Sequence, residues 1–316
     1  MANEVATKPK FSVAITTEKY KQLINNTLGD PERAKRFVGA ITSAVAVNPE
    51  LQKCEAGTIL AGALLGESLN LSPSPQLGQY YLIPFDCKLR GDDGKILYLK
   101  DESGQNIKDD KGKWIPVVEK RAQFCLGYKG YIQLALRSGQ YKALNVVAVK
   151  EGELIGWNQF TEELKCVWNE TEEREQLKTV GYAARFEYLN GFTKTIFWTK
   201  EKMLAHADKY SPAFSAEAMA RIENGQVPDN EMWKYSSFWY KNFDEMAMKT
   251  LLRQLIGKWG VMSTEFCSAY EHDNKTVSTD GSGVFTSIDV TPAPITNAQI
   301  APEATSVAQK VNLDDI

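Results

Sequence analysis

The sequence predicts an α+β fold: a small antiparallel sheet with packed helices, a helical N-terminal part and a disordered acidic C-terminal tail. Three observations carry the prediction. Apolar residues recur at helical spacing over the first 70 residues, alternating strands with turn signals fill the middle, and helical spacing returns near residue 250. Strands gathered in one block between helices suit an α+β chain better than a doubly wound sheet. No internal repeat is apparent in the 316 residues.

Residues 1–15 are expected to be flexible and 16–70 helical. Helices are predicted over 17–28 and 31–47; Pro31 suits a first turn because the N–H it lacks has no helical partner there. A third helix, over 55–69, carries Ala61, Gly62, Ala63 and Gly66, small residues that permit close packing, and ends in the turn 72–75. An α+β core is assigned to 71–262. A strand over 79–85 meets Pro84, which confines its end to a sheet edge. Residues 86–119 hold seven bases, eight acids and turn signals at Asp93-Gly94, Ser103-Gly104 and Lys111-Gly112, which predicts a protruding hairpin or mobile loop. Next come a strand over 124–128, a helix over 130–138 stopped by Gly139, and a strand over 144–149. Alternating Val180, Tyr182, Ala184, Phe186 and Tyr188 lead to Asn190-Gly191, a type I′ turn signal, and a returning strand at 192–198. Helices over 199–209 and 238–258 close the ordered part.

The net charge of −3 argues against a strongly cationic nucleic-acid binder, yet it is unevenly divided. Residues 263–316 hold eight acids against two bases, leaving +3 for residues 1–262. That last segment is rich in Ser, Thr, Pro and Gly, buries too little to offset its ordering entropy, and is predicted to be largely disordered from about Glu271. Residues 120–150 contain six bases, no acid, and the rings Phe124, Tyr128, Tyr131 and Tyr141. Cations that meet phosphates and rings that stack on bases suit single-stranded nucleic acid. A solvated basic face over core tyrosines has the same composition, and composition does not separate the two.

Other classes are poorly supported. The run 37–47 is too short to cross a bilayer, and the N-terminus lacks the apolar stretch of a secretory signal, so a protein of the cytoplasm is expected, with no membrane partner. Five dispersed cysteines give no disulfide framework or zinc pair and read as buried thiols. There is no phosphate-loop motif, dinucleotide fingerprint or nucleophile elbow. His272 falls in the expected tail, and His206 is alone on a helix, at the surface or half-buried. Glu151 and Glu153 can share a magnesium ion as in a metal-dependent nuclease. An exposed strand end with Gly152 in a turn explains them better, and no further acid completes a site. Binding is favoured over catalysis, and the remaining alternative is a structural oligomer that binds no DNA.

Four segments together resemble the RecT family of phage-type single-strand DNA annealing proteins. They are LNLSPSPQLGQYYLIPF (69–85), GYKGYIQLALRSGQYKALNVVAVKEGE (127–153), the hairpin followed by TKEKM (199–203), and WYKNFDEMAMKTLLRQLIGKW (239–259). The resemblance implies rings or helical filaments of many subunits in a bacterial host cell. It implies binding of single strands and annealing of complementary strands in phage-type recombination, without nucleotide hydrolysis or bond-breaking chemistry. No cofactor is required, and magnesium is not expected to be bound as one. The implied partners are single-stranded DNA, the annealed duplex intermediate, a 5′–3′ exonuclease and a host single-strand-binding protein. The charged segment 86–119 is longer than the family leads one to expect.

Within these blocks, Lys129 lies in a Gly-Tyr-Lys-Gly step whose glycines let a backbone approach a phosphate. Arg137 ends the helix that follows, where it also complements the helix dipole. Lys249 and Arg253 share a helix face; Glu245 can pair with Lys249, while Arg253 has no acid four residues away. Lys129, Arg137, Lys249 and Arg253 are therefore expected to line a DNA groove. Tyr128 and Tyr131 are candidates for base stacking, and Arg121, Lys200 and Lys202 are supplementary contacts.

Overall fold

The computed structural model describes residues 10–288 and 291–292, apart from 92, 111 and 283. Four helices come first: α1 (Phe11–Ala14), α2 (Glu18–Leu28), α3 (Pro31–Ala46) and α4 (Ala56–Ser68). The middle holds β1 (Tyr80–Lys88), β2 (Val118–Leu126), α5 (Tyr128–Arg137), β3 (Tyr141–Lys150), β4 (Leu154–Asn158), β5 (Glu163–Cys166), β6 (Thr179–Tyr188) and β7 (Thr193–Thr199). Helices α6 (Lys200–Tyr210), α7 (Ala216–Glu223), α8 (Phe238–Lys241), α9 (Phe243–Trp259) and α10 (Thr264–His272) follow. The short strands β8 (Thr276–Thr279), β9 (Phe285–Ile288) and β10 (Thr291–Pro292) come last. The fold is α+β, with every strand pair antiparallel.

Local chemistry explains the helix starts. The Asp30 carboxylate accepts from the Glu32 N–H at 2.9 Å, with Pro31 opening α3. Glu55 does the same for α4, accepting from the N–H groups of Gly57 and Thr58, both at 2.8 Å. Such caps replace hydrogen bonds that a first turn otherwise lacks. Helix α4 is buried on all sides from Thr58 to Gly66. Its glycines admit the sheet: a Cβ on Gly66 would lie 2.4 Å from the Tyr80 ring.

Two three-stranded sheets carry the core, ordered β10-β1-β2 and β3-β6-β7. Helix α9 packs across the second sheet and buries Ala247, Leu251, Leu252, Leu255 and Ile256 against Tyr182 and Phe186. A second cluster joins α1, α2, α3 and α4 through Phe11, Ile24, Phe37, Ile41 and Leu60. Because α4 contributes to both clusters, the N-terminal helices are continuous with the core.

Several expectations are corrected. Phe11 and Ile15 are buried, so order begins within the segment taken as flexible. Strand β1 continues through Pro84 to Lys88. Pro84 lies opposite Ala122, whose N–H bonds the Thr58 hydroxyl at 3.0 Å instead. The turn between β6 and β7 is not type I′: only Gly191 of the pair Asn190-Gly191 has a positive φ, 86°. The predicted last helix is divided at Asn242 into α8 and α9. Residues 263–288 form α10, β8 and β9, and Phe266, Ala269 and Val277 belong to the main core. The expected disorder beyond residue 292 lies outside the described residues.

The insertion between β1 and β2 contains an internal repeat that the sequence reading missed. Bridges Arg90–Ile96, Lys100–Asn106 and Lys108–Trp114 close three successive hairpins. Each turns at a glycine of positive φ, Gly94, Gly104 and Gly112, after an Asp carboxylate that accepts backbone N–H groups. Leu89, Leu97 and Val117 pass backbone hydrogen bonds of 2.8–2.9 Å around a closed ring, and Leu99, Ile107 and Ile115 form a second ring. The insertion is a three-hairpin unit, neither a single hairpin nor an irregular loop.

Candidate nucleic-acid interface

The Gly-Tyr-Lys-Gly step joins β2 to α5. The Gly127 N–H donates to the Gln79 carbonyl at 2.8 Å. A Cβ on Gly127 would meet the Gly78 carbonyl oxygen at 2.1 Å, and one on Gly130 the Gln79 oxygen at 2.0 Å. Only glycine at both positions allows this backbone contact. The contact fixes the N-terminus of α5, whose first-turn N–H groups have no side-chain acceptor among the described residues. Lys129 is exposed beside them and has no ion pair among the described residues. Its stem passes the loop at Gly78, next to the hydroxyl of the partly exposed Tyr81. A cation beside uncapped helix amides is an anion-binding arrangement.

The other bases of the acid-free stretch have partners within the chain, Lys120 and Lys150 facing inward and Arg137 and Lys142 remaining exposed. Lys120 pairs with Glu50 at 2.8 Å and Asp86 at 3.6 Å, Arg121 with Glu119 at 2.9 Å, and Lys142 with Glu187 at 2.6 Å. Lys150 is buried beside Thr179 and Asp244. Arg137 donates to the carbonyls of Leu69 at 2.5 Å and Asn70 at 2.8 Å, and so closes the C-terminal end of α4. Of the six bases, Lys129 alone among the described residues lacks such a partner.

Lys249 and Arg253 face inward as well. Both lie against Asp273, in the corner between α10 and β8; its carboxylate has no exposure and also accepts from the Leu126 N–H at 2.8 Å and the Tyr131 hydroxyl at 2.7 Å. Arg253 makes the close pair, while the Lys249 Nζ is 4.0 Å from Asp273 and donates to the Cys125 thiol at 3.1 Å. Burial pulls the Lys249 ammonium toward neutrality, but Asp273 and then Cys125 outweigh it, and the pKa lies above its ordinary value. Burial, followed by the Asp273 charge, pushes the Tyr131 hydroxyl well up. Tyr131 is 0% exposed and cannot stack on a base, which corrects that expectation. The pairing of Lys249 with Glu245 gives way to Asp273.

Of the remaining candidates, Tyr128 is half-buried against the core, and Lys200 pairs with Glu223 at 3.1 Å. Lys202 is exposed, its Nζ 4.7 Å from the Trp198 ring centroid. Glu153 is only 1% exposed, so the reading of an exposed strand end fails; Gly152 does turn there with φ 84°. The Glu153 carboxylate accepts from Arg174 at 2.6 and 3.0 Å and from the N–H groups of Lys150 and Asn169. Burial raises its pKa, but these donors outweigh burial and hold it below the usual carboxylate value. It is therefore not free to share a metal with Glu151. Among the described residues, no three His, Cys, Asp or Glu side chains are grouped to hold a metal. Burial pushes the Cys54 thiol up to about 12 and Cys87 to about 11. Among the described residues, no helix is long and apolar enough to cross a membrane.

The family model for the RecT family matches residues 35–284. The match takes in the three-hairpin insertion and the segment of α10 and β8. A Bacillus subtilis (strain 168) protein named "Uncharacterized protein YqaK" is 32% identical over 245 residues, covering 78% of this chain and 66% of that protein. Protein RecT of Escherichia coli (strain K12) is 26% identical over 243 residues, 77% of this chain and 72% of that protein.

Proposed function

This chain belongs to the RecT family, and from that premise we propose that it binds single-stranded DNA and anneals complementary strands without nucleotide hydrolysis. Two polyanions repel, so annealing needs a surface that neutralises phosphates and leaves base edges free to pair. The reading is carried by the α5 N-terminus, where amides and a Lys129 without side-chain partners among the described residues sit on a backbone contact that only glycines permit. Lys129, Tyr128 and Lys202 make the outward contacts; Arg121, Arg137, Lys200, Lys249 and Arg253 hold the scaffold behind them. Many copies in a ring or helical filament keep the strands extended. A 5′–3′ exonuclease supplies those strands and a host single-strand-binding protein coats them, in the bacterial cytoplasm during phage-type recombination.

The test mixes labelled complementary oligonucleotides with the protein, without nucleotide, with and without magnesium. Accelerated duplex formation in both conditions is expected. Shortened strands would assign a nuclease, and unchanged strands a scaffold that does not act on DNA; either result overturns the reading.

A further inference from the structure

Around Lys202, helix α6 carries a feature that the contact at Lys129 does not use. Its inner face buries Met203 and Ala207 in the core. Its outer face, continued back into β7, sets three rings in a row: the partly buried Trp198 and His206 have centroids 5.2 Å apart with planes tilted by 58°, and His206 and Tyr210 4.6 Å apart with planes tilted by 44°. Tyr210 is 63% exposed. Cations lie over the end rings: the Lys202 Nζ is 4.7 Å from the Trp198 centroid and the Lys209 Nζ 5.1 Å from that of Tyr210, and the charge of Lys258, at the end of α9, acts on His206. None of these three lysines has an ion pair among the described residues. The nearby acids are turned elsewhere, because Asp208 accepts from the Ala216 N–H at 2.8 Å and Glu201 lies on its own N–H and the Thr199 hydroxyl. A strip of rings between unneutralised cations is complementary to a polyanion with flat bases.

We propose that this strip, Trp198, His206 and Tyr210 with Lys202, Lys209 and Lys258, is a base-stacking platform for single-stranded DNA, separate from the phosphate contact at Lys129. The inference rests on the proposed single-strand binding and names a second site for it. Stacking holds a base by its face and leaves the pairing edge free, as annealing requires. From Trp198 through His206 to Tyr210 the ring centroids step by 5.2 and 4.6 Å, beyond the roughly 3.4 Å step of a duplex strand. Bases laid on the strip are therefore drawn apart from one another, open to a complementary strand.

The experiment uses the full chain, a fluorescent oligothymidylate and an abasic oligomer of equal length and charge. His206→Ala with Tyr210→Ala is expected to weaken oligothymidylate binding about tenfold, a loss of one stacked base, and to leave abasic binding unchanged. Tyr210→Phe retains the ring and should bind as the parent does. Lys202→Ala with Lys209→Ala should weaken both ligands alike. Equal loss on both ligands in the ring variant, or no loss, overturns the platform. So does a change in particle size at constant affinity, which would assign the strip to contacts between subunits. If the parent chain binds neither oligomer, the proposed function fails; if the parent binds and the ring variant matches it, only the platform fails.

Discussion

The acid-free stretch 120–150 and the outer face of α6 make an instructive pair. The first is the most basic segment of the chain, with six bases and no acid, yet five of the six are held by partners elsewhere in the fold. The second is unremarkable in charge, with Lys200, Glu201, Lys202, Asp208 and Lys209 nearly balanced, yet its acids lie on backbone N–H groups and two lysines point outward. Local charge density therefore does not tell which cations the fold leaves without a partner. What matters is whether folding has already supplied each cation with a counter-charge or a carbonyl.

The largest effect that sharpens this contrast belongs to Asp273. Asp273→Ala leaves Arg253 and Lys249 in the interior without their acid and strands the Leu126 N–H and Tyr131 hydroxyl. Removing one partner of a buried pair costs about 3–5 kcal/mol. Urea unfolding should show a loss of that size; a loss under about 1 kcal/mol would mean the two cations are not internal after all. A middle-sized effect is expected of Arg137→Ala, which removes two charge-assisted hydrogen bonds at the end of α4. Stability should fall by about 1.5–3 kcal/mol, with the salt dependence of DNA binding unaltered. Smallest for the fold is Lys129→Ala, within about 0.5 kcal/mol. The same substitution should reduce the log-log salt slope of single-strand binding by about 0.7, the value for one phosphate contact.

Some of this organisation was legible in the sequence. The β6–β7 hairpin follows from the alternation of Val180 to Tyr188 ahead of Asn190-Gly191, and α3 from Pro31 in its first turn. The Gly-Tyr-Lys-Gly step was singled out for the close backbone approach its glycines permit, and they do seat α5 on residues 78–79. Failure came where a partner is distant. Asp273 follows Arg253 by 20 residues and Tyr131 by 142, so no helical spacing links them. The segment 263–288 reads as disordered because few large apolar residues stand among Ser, Thr and Gly, yet Phe266 and Val277 are wholly buried. The repeat at 86–119 was hidden by uneven spacing, its turn glycines standing at 94, 104 and 112. The rings of α6 were passed over because Trp198 lies in a strand and His206 and Tyr210 in a helix, so no single period contains all three.

The most direct test of the central claim compares two sets of cations by the salt dependence of single-strand binding. The outward set is Lys129→Ala, Lys202→Ala and Lys209→Ala combined; the engaged set is Arg121→Ala with Arg137→Ala. The outward triple variant should lose about 2 from the log-log slope, while the engaged pair keeps the parent slope wherever it remains folded. A parent-like slope in the outward variant together with a reduced slope in the engaged pair would contradict the account.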